Sequence, residues 1–200
     1  MQRIYSLLAL GLLFLGGCAS SPMTVAPEQT LPTVKADEAQ VVFMRTSSFG
    51  GAISAALFDV TDDQTRYIGI STVGTRIAVK TTPGKHRYMV VSEAADFMEA
   101  ELVGGKTYYA MVTPRMGAWR ARFSLWPIRK GPGGEFSHED EKIAKWRDST
   151  KLLVQSQASL DWYAENKASV ESKKQEYLPV WRTKTPADRA ERTLKPEDGL

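Results

Sequence analysis

Cysteine is almost missing from this 200-residue chain: Cys18 is the only one. A disulfide framework is therefore excluded, and so is any metal site built on paired thiolates. Histidine is nearly as scarce, with only His86 and His138. No Gly-x-Ser-x-Gly elbow occurs, and the Gly-rich stretch Ser48–Gly51 lacks the Lys-Ser/Thr of a phosphate-binding loop. Nor is any apolar run long enough to span a bilayer, which takes roughly 20 residues in a helix. A large charge imbalance is lacking too: 26 basic residues face 23 acidic ones, for a formal net charge of +3. That balance describes a mixed solvated surface and gives no support to nucleic acid as a partner.

What is present begins with an address. Met1-Gln2-Arg3 gives a short positive start, Ile4 to Leu15 is apolar, and Gly16-Gly17 precede Cys18. A charged start, a short apolar middle and a small-residue end make residues 1–17 a secretory signal peptide. The tetrad Leu15-Gly16-Gly17-Cys18 resembles the bacterial lipobox, in which the thiol accepts a diacylglycerol. That resemblance implies a lipid anchor at Cys18, and Ala19 behind it, where Asp would retain the protein, implies the outer membrane. Residues 18–35 carry Pro22, Pro27 and Pro32 among small polar residues and read as a flexible tether.

From Ala39 to Arg129 the grammar is that of strands. Val41-Val42-Phe43-Met44 is β-branched and aromatic, and further runs lie at Ala52–Val60, Tyr67–Ser71, Arg76–Thr81 and Lys85–Ser92. Phe97–Val103, Thr107–Thr113 and Ala118–Ile128 complete the series, with turn signals at Pro83-Gly84 and Gly104-Gly105. Seven to eight short strands at this spacing predict a mainly β fold, an antiparallel β-sandwich over residues 36–130.

After Gly131-Pro132-Gly133-Gly134 the pattern turns helical, predicting a C-terminal helical extension over residues 135–200. Ser137 with Asp140 reads as a capping box for a helix over His138–Ser149. A second helix starts near Ser156 or Ser159 and runs to Leu178, where Pro179 ends it; Leu160, Tyr163, Val170 and Tyr177 mark its apolar face. Thr185-Pro186-Ala187-Asp188 starts a third, and the polar tail beyond is expected to fray.

The chemistry-bearing residues are few. His86 reads as a packed strand residue, and the acids beside His138 read as helix-start acids, because neighbours on a helix do not converge on a metal. Asp59, Asp62, Asp63, Glu93, Asp96, Glu99 and Glu101 sit at expected strand ends, where turn chemistry accounts for them. Neither a catalytic set nor a cofactor or metal site stands out. One asymmetry does. Between Leu102 and Gly134 lie Lys106, Arg115, Arg120, Arg122, Arg129 and Lys130, with no acidic residue. Arg120 and Arg122 would share a strand face opposite Trp119, giving a cationic strip suited to an anionic envelope component or an acidic partner protein. The bland alternative is that these cations pair with acids from elsewhere in the chain. Trp146, Trp162, Tyr163, Tyr177 and Trp181 read first as helix-to-sheet packing.

Val41-Val42-Phe43-Met44-Arg45, Pro83-Gly84-Lys85-His86 and Gly105-Lys106-Thr107-Tyr108-Tyr109 together resemble a bacterial lipoprotein family of uncharacterised function. The resemblance covers about half the chain. It implies a small β-sandwich with a Pro-Gly hairpin behind a lipobox, and brings no catalytic residue or ligand. The expectation is thus a lipid-anchored envelope protein with a non-catalytic binding or structural role. An enzyme acting on envelope material through carboxylates is the alternative.

Overall fold

The computed structural model describes residues 21–115 and 122–200. The signal segment, Cys18, Trp119 and Arg120 lie outside the described residues. Strands come in the order β1 (Thr24–Val25), β2 (Ala39–Arg45), β3 (Ala55–Asp59), β4 (Arg66–Ser71), β5 (Thr75–Thr81), β6 (Gly84–Val91), β7 (Ala95–Leu102), β8 (Thr107–Arg115) and β9 (Arg122–Arg129). Then follow β10 (Phe136–Ser137), α1 (Glu141–Ser149), β11 (Lys151–Val154), α2 (Gln157–Arg182), α3 (Pro186–Glu191) and β12 (Thr193–Leu194). Two sheets result, one ordered β1-β11-β5-β2-β8-β9-β10 and the other β12-β7-β6-β3-β4.

The fold is mainly β, as expected, but the sheets are mixed and not purely antiparallel. Strand β2 runs parallel to β8, with Gln40 opposite Thr107 and Met44 opposite Met111. The chain leaves the first sheet after β5, builds β6 and β7 in the second, and returns as β8; such a crossover permits a parallel pair where a hairpin does not. Pro83-Gly84 and Gly104-Gly105 are therefore not hairpins: each carries the chain from one sheet to the other. Gly105, at φ 77°, makes the second turn possible without steric cost.

Strand β2 explains the layering. Its seven residues are all buried, and period-two alternation sends Val41 and Phe43 to one face and Val42 and Met44 to the other. Val41 and Phe43 join the main core with Leu57, Tyr88, Val90 and Phe97 of the second sheet and Val170, Leu178 and Trp181 of α2. Phe43 meets Tyr88 edge-on at 5.2 Å between ring centroids. Val42 and Met44 form a smaller core with Tyr109, Met111 and Ile128, closed by Ile143 of α1. Each such fully buried side chain contributes about 1.5–3 kcal/mol.

Two expected boundaries are corrected. The described part of the 18–35 segment is not free: β1 pairs with β11, placing Thr24 opposite Val154, and Met23 and Ala26 are buried. Gln29 fastens it further, its side-chain carbonyl accepting from the Leu152 amide at 2.7 Å. Nor is 135–200 a separate extension, since β10, β11 and β12 are strands of the two sheets. Helix α1 starts at Glu141 under an Asp140 cap, because Phe136-Ser137 is spent on β10. Helix α2 begins in a Ser156/Ser159 capping box and continues through Pro179 to Arg182, although proline has no N–H to offer the Gln175 carbonyl one turn back. Leu160, expected on its apolar face, is 42% exposed. The tail does not fray: Leu200 exchanges both backbone hydrogen bonds with Thr107, at 3.0 Å each.

Candidate functional site

Strand β6 sets His86 two residues beyond Gly84 and on the face of Tyr88, against which its ring stacks at 6.0 Å. The neighbouring β3 ends at Asp59, opposite Tyr88. The two converge: Asp59 Oδ2 stands 3.4 Å from His86 Nδ1, with side-chain exposures of 12% and 8%. His86 Nε2 lies 2.9 Å from the Thr82 carbonyl. A carboxylate at one ring nitrogen and a carbonyl at the other are both acceptors, which favours the doubly protonated ring. The hydrogen bond to Asp59 raises the His86 pKa above its ordinary value, against the opposing effect of burial, and the Thr82 carbonyl adds to the rise. Burial works against ionisation of Asp59, but hydrogen bonds from His86 and Thr61 outweigh it and hold the carboxyl below its usual range.

Beyond Asp59 the backbone turns through Asp62 (φ 56°) and Asp63 (φ 59°), two consecutive non-glycine residues in the left-handed region. Asp tolerates that region better than most residues, yet each such position costs about 1 kcal/mol or more and needs its surroundings to hold it. Lys174 does so from α2, donating to the Asp63 carbonyl at 2.9 Å and to Thr65 Oγ1 at 2.7 Å. The turn, β6 and β7 enclose a cleft of about 370 Å³ whose wall includes Asp62, Asp63, His86, Glu99 and Glu101.

Four carboxylates thus do line one cleft, but cations accompany three of them. Glu99 is 3.3 Å from Arg87, Glu101 3.5 Å from Lys85, and Asp63 3.3 Å from Arg182. Both ring nitrogens of His86 face acceptors, Asp59 and the Thr82 carbonyl. The arrangement is a surface cleft in which three carboxylates stand beside cations. Among the described residues no group of three or more His, Cys, Asp or Glu side chains is placed to hold a metal. His138 packs edge-on to Tyr109 at 5.5 Å, with its pKa lowered by burial and by the nearby Arg147 charge. Asp140, two residues on, caps α1 and pairs with Lys142 at 2.8 Å.

The expected cationic strip is largely consumed by the fold. Arg129 reaches Asp198 at 2.8 Å and the Ala190 and Glu191 carbonyls, and the Lys130 amide donates to the same carboxylate. Lys106 donates to the Pro196 carbonyl at 2.9 Å. Arg115 lies 3.6 Å from Asp96 and Arg122 3.9 Å from Glu93, with side-chain exposures of 50% and 37%. Acids from other strands and from the tail supply the partners, which no local pattern reveals. Of the strip, Arg115 and Arg122 keep a solvent-facing share. The helix aromatics are packing residues: Tyr163 stacks on Tyr67 at 5.1 Å, Trp181 meets Phe97 at 6.0 Å and Trp146 meets Phe136 at 6.5 Å. Among the described residues no helix is long and apolar enough to cross a membrane.

Comparison with models of protein families and with curated proteins finds no match for this chain.

Proposed function

We propose that this is a lipid-anchored envelope protein, acylated at Cys18 and held at the periplasmic face of the outer membrane, with a non-catalytic binding or structural role. Its body, on this reading, is a β-sandwich, supported by the one hydrophobic core that the two mixed sheets share. The observation that carries the function is the spacing between the lipobox and the folded body. Met23 is already buried, five residues after Cys18, so the chain between them spans at most about 18 Å. Such a short link keeps the body at the lipid surface. Acyl chains contribute roughly 0.8 kcal/mol per buried methylene, so two or three of them anchor durably.

The non-catalytic part is supported by the pairing of Glu99, Glu101 and Asp63 with cations and by the fully engaged His86. A partner with negative charge would meet Arg115 and Arg122, the described residues of the strip that keep a solvent-facing share. The enzyme reading keeps one observation in its favour, the four carboxylates of the cleft.

Cys18→Ala is expected to move the protein from the membrane fraction to the soluble periplasm and to abolish fatty-acid labelling. A labelled, membrane-retained variant overturns the anchor. For the role, Glu99→Gln with Glu101→Gln should leave envelope composition unchanged, whereas accumulation of an unprocessed envelope component in that variant would favour the enzyme.

A further inference from the structure

Beside α2 runs a groove whose floor is a cross-strand row. Ala56 of β3 lies opposite Ile70 of β4 on one side and Val91 of β6 on the other. A methyl group between two larger side chains leaves a dip, and Val170 of α2 bounds it from above, so that a cavity of about 280 Å³ remains. All four of these residues are buried. Ile53 and the half-buried Trp162 form its sides.

The two ends differ. At one is Pro22, whose carbonyl accepts from Ser156 Oγ at the N-cap of α2. At the other is Lys173, half-buried, which donates to the Glu93 carbonyl and takes part in no ion pair among the described residues. Arg122 stands at the same end, 3.9 Å from the Glu93 carboxylate. From Trp162 to Lys173 the helix rises eleven residues, about 16 Å. The lining therefore extends along about three turns of α2, is apolar along its floor, and carries at one end the Lys173 ammonium, with the nearby Glu93 carboxylate offset by Arg122.

Those features select among ligand classes. A sugar needs hydrogen-bonding partners along its length, and the floor under it is the apolar row Ile70, Ala56 and Val91, with polar side chains only at the rim. A peptide strand needs a free sheet edge, and the middle of the floor, Ala56 of β3 and Val91 of β6, lies on strands paired on both sides. An extended hydrocarbon needs only apolar contact, and a carboxylate at its end complements the ammonium. We propose that this groove binds a fatty-acid-like amphiphile, with its acyl chain over Ile70, Ala56 and Val91 and its carboxylate at Lys173. The Pro22 end is also where the chain arrives from Cys18, four residues or about 14 Å away. If Cys18 is the anchor, the groove's mouth faces the membrane from which such a ligand comes, but the binding site does not depend on it.

The test uses the mature full-length protein, purified from detergent-solubilised whole cells and mixed with phosphatidylcholine vesicles. A palmitic acid analogue carrying a photoreactive diazirine is added afterwards, so that no label enters through acylation of Cys18. Irradiation should label peptides holding Ile53, Trp162 or Val170, and excess palmitate should suppress that labelling. Ala56→Phe fills the floor and should reduce labelling to the unirradiated background. Ser169→Trp, at the exposed lip, should do the same without disturbing the core. Lys173→Glu should weaken competition by palmitate about fivefold. Labelling confined to the outer surface, or unchanged in Ser169→Trp, overturns the site. Competition by uncharged palmitoyl methyl ester as strong as that by palmitate overturns the assignment of Lys173. Failure of the anchor reads out separately, as protein that does not partition into the vesicles yet is still labelled in the groove.

Discussion

His86 joins Asp59 across 3.4 Å while its second nitrogen lies 2.9 Å from the Thr82 carbonyl, so one ring ties the end of β3 to the segment that crosses between the sheets. Its charge state is therefore part of the fold. A raised His86 pKa gives stabilisation that is fully present below the unfolded value of 6.5 and is lost as pH rises through the folded value. The lowered Asp59 pKa gives stabilisation present above 3.8 and lost as pH falls through the folded value.

The first prediction concerns that window. The urea stability difference between the native protein and His86→Gln should be greatest between pH 3.8 and 6.5, at about 1–2 kcal/mol. It should shrink at mildly alkaline pH. A difference that stays constant from pH 5 to pH 9 would show that His86 contributes by packing on Tyr88 alone.

Arg45 provides the second. It is fully buried and has no carboxylate partner among the described residues; it donates instead to the Ile53 and Gly50 carbonyls at 2.8 Å each and to that of Ser71 at 3.3 Å. Its guanidinium lies 4.4 Å over the Phe123 ring, and burial lowers its pKa to about 10. Removing it strands three carbonyls, so Arg45→Ala should cost about 3 kcal/mol. Arg45→Lys should recover little, since an ammonium cannot reach the divergent acceptors or cover the ring. Limited proteolysis should then cut first within the Ser47–Gly51 turn.

The third concerns the tail. Asp198 is 1% exposed and accepts from Arg129, from the Lys130 amide at 3.0 Å and from the Lys195 amide at 2.8 Å. Asp198→Ala leaves Arg129 half-buried without its partner and should cost about 3 kcal/mol. Hydrogen exchange should accelerate at Thr193–Leu200 and at Thr107. Protection there equal to that of the native protein would mean the backbone bonds to Thr107 suffice.

The tail also marks where the sequence stops being legible. Strands such as Val41–Met44 and Thr107–Thr113 announce themselves because β-branched and aromatic residues alternate over a short range, and caps such as Ser156 and Thr185 are local chemistry. Asp198 gives no such signal: its partner Arg129 is 69 positions away, and a polar tail reads as solvated unless that partner is known. Pairing of β2 with β8 escapes for the same reason, since turn residues describe a bend but not which sheet receives the next strand. Of the site, His86 is legible as a packed strand residue, while its tie to Asp59 depends on the register between β3 and β6. The strip from Lys106 to Lys130 is legible as charge, but its fate is set by Asp96, Glu93 and Asp198, none of them nearby in the chain.

The last prediction tests whether the segment after Cys18 is truly part of the body. Met23 is 6% exposed and lies over Gly69 of β4, where an added Cβ would come within 2.7 Å of the Met23 methyl and 3.0 Å of Ile77 Cδ1. Tyr67 holds the same residue, its hydroxyl 3.6 Å from the Met23 sulfur. Gly69→Val should therefore push Met23 out and destabilise the protein by about 1–3 kcal/mol. In a chain already carrying Met23→Ala the same substitution meets an emptied space and should cost at least about 0.5 kcal/mol less, the coupling expected of two residues in contact. Protease cleavage near Thr24 should rise in Gly69→Val as β1 leaves β11. If the two substitutions simply add, and β1 stays protected, Met23 does not hold the segment down and the anchor's effective reach lengthens to include all of residues 18–35.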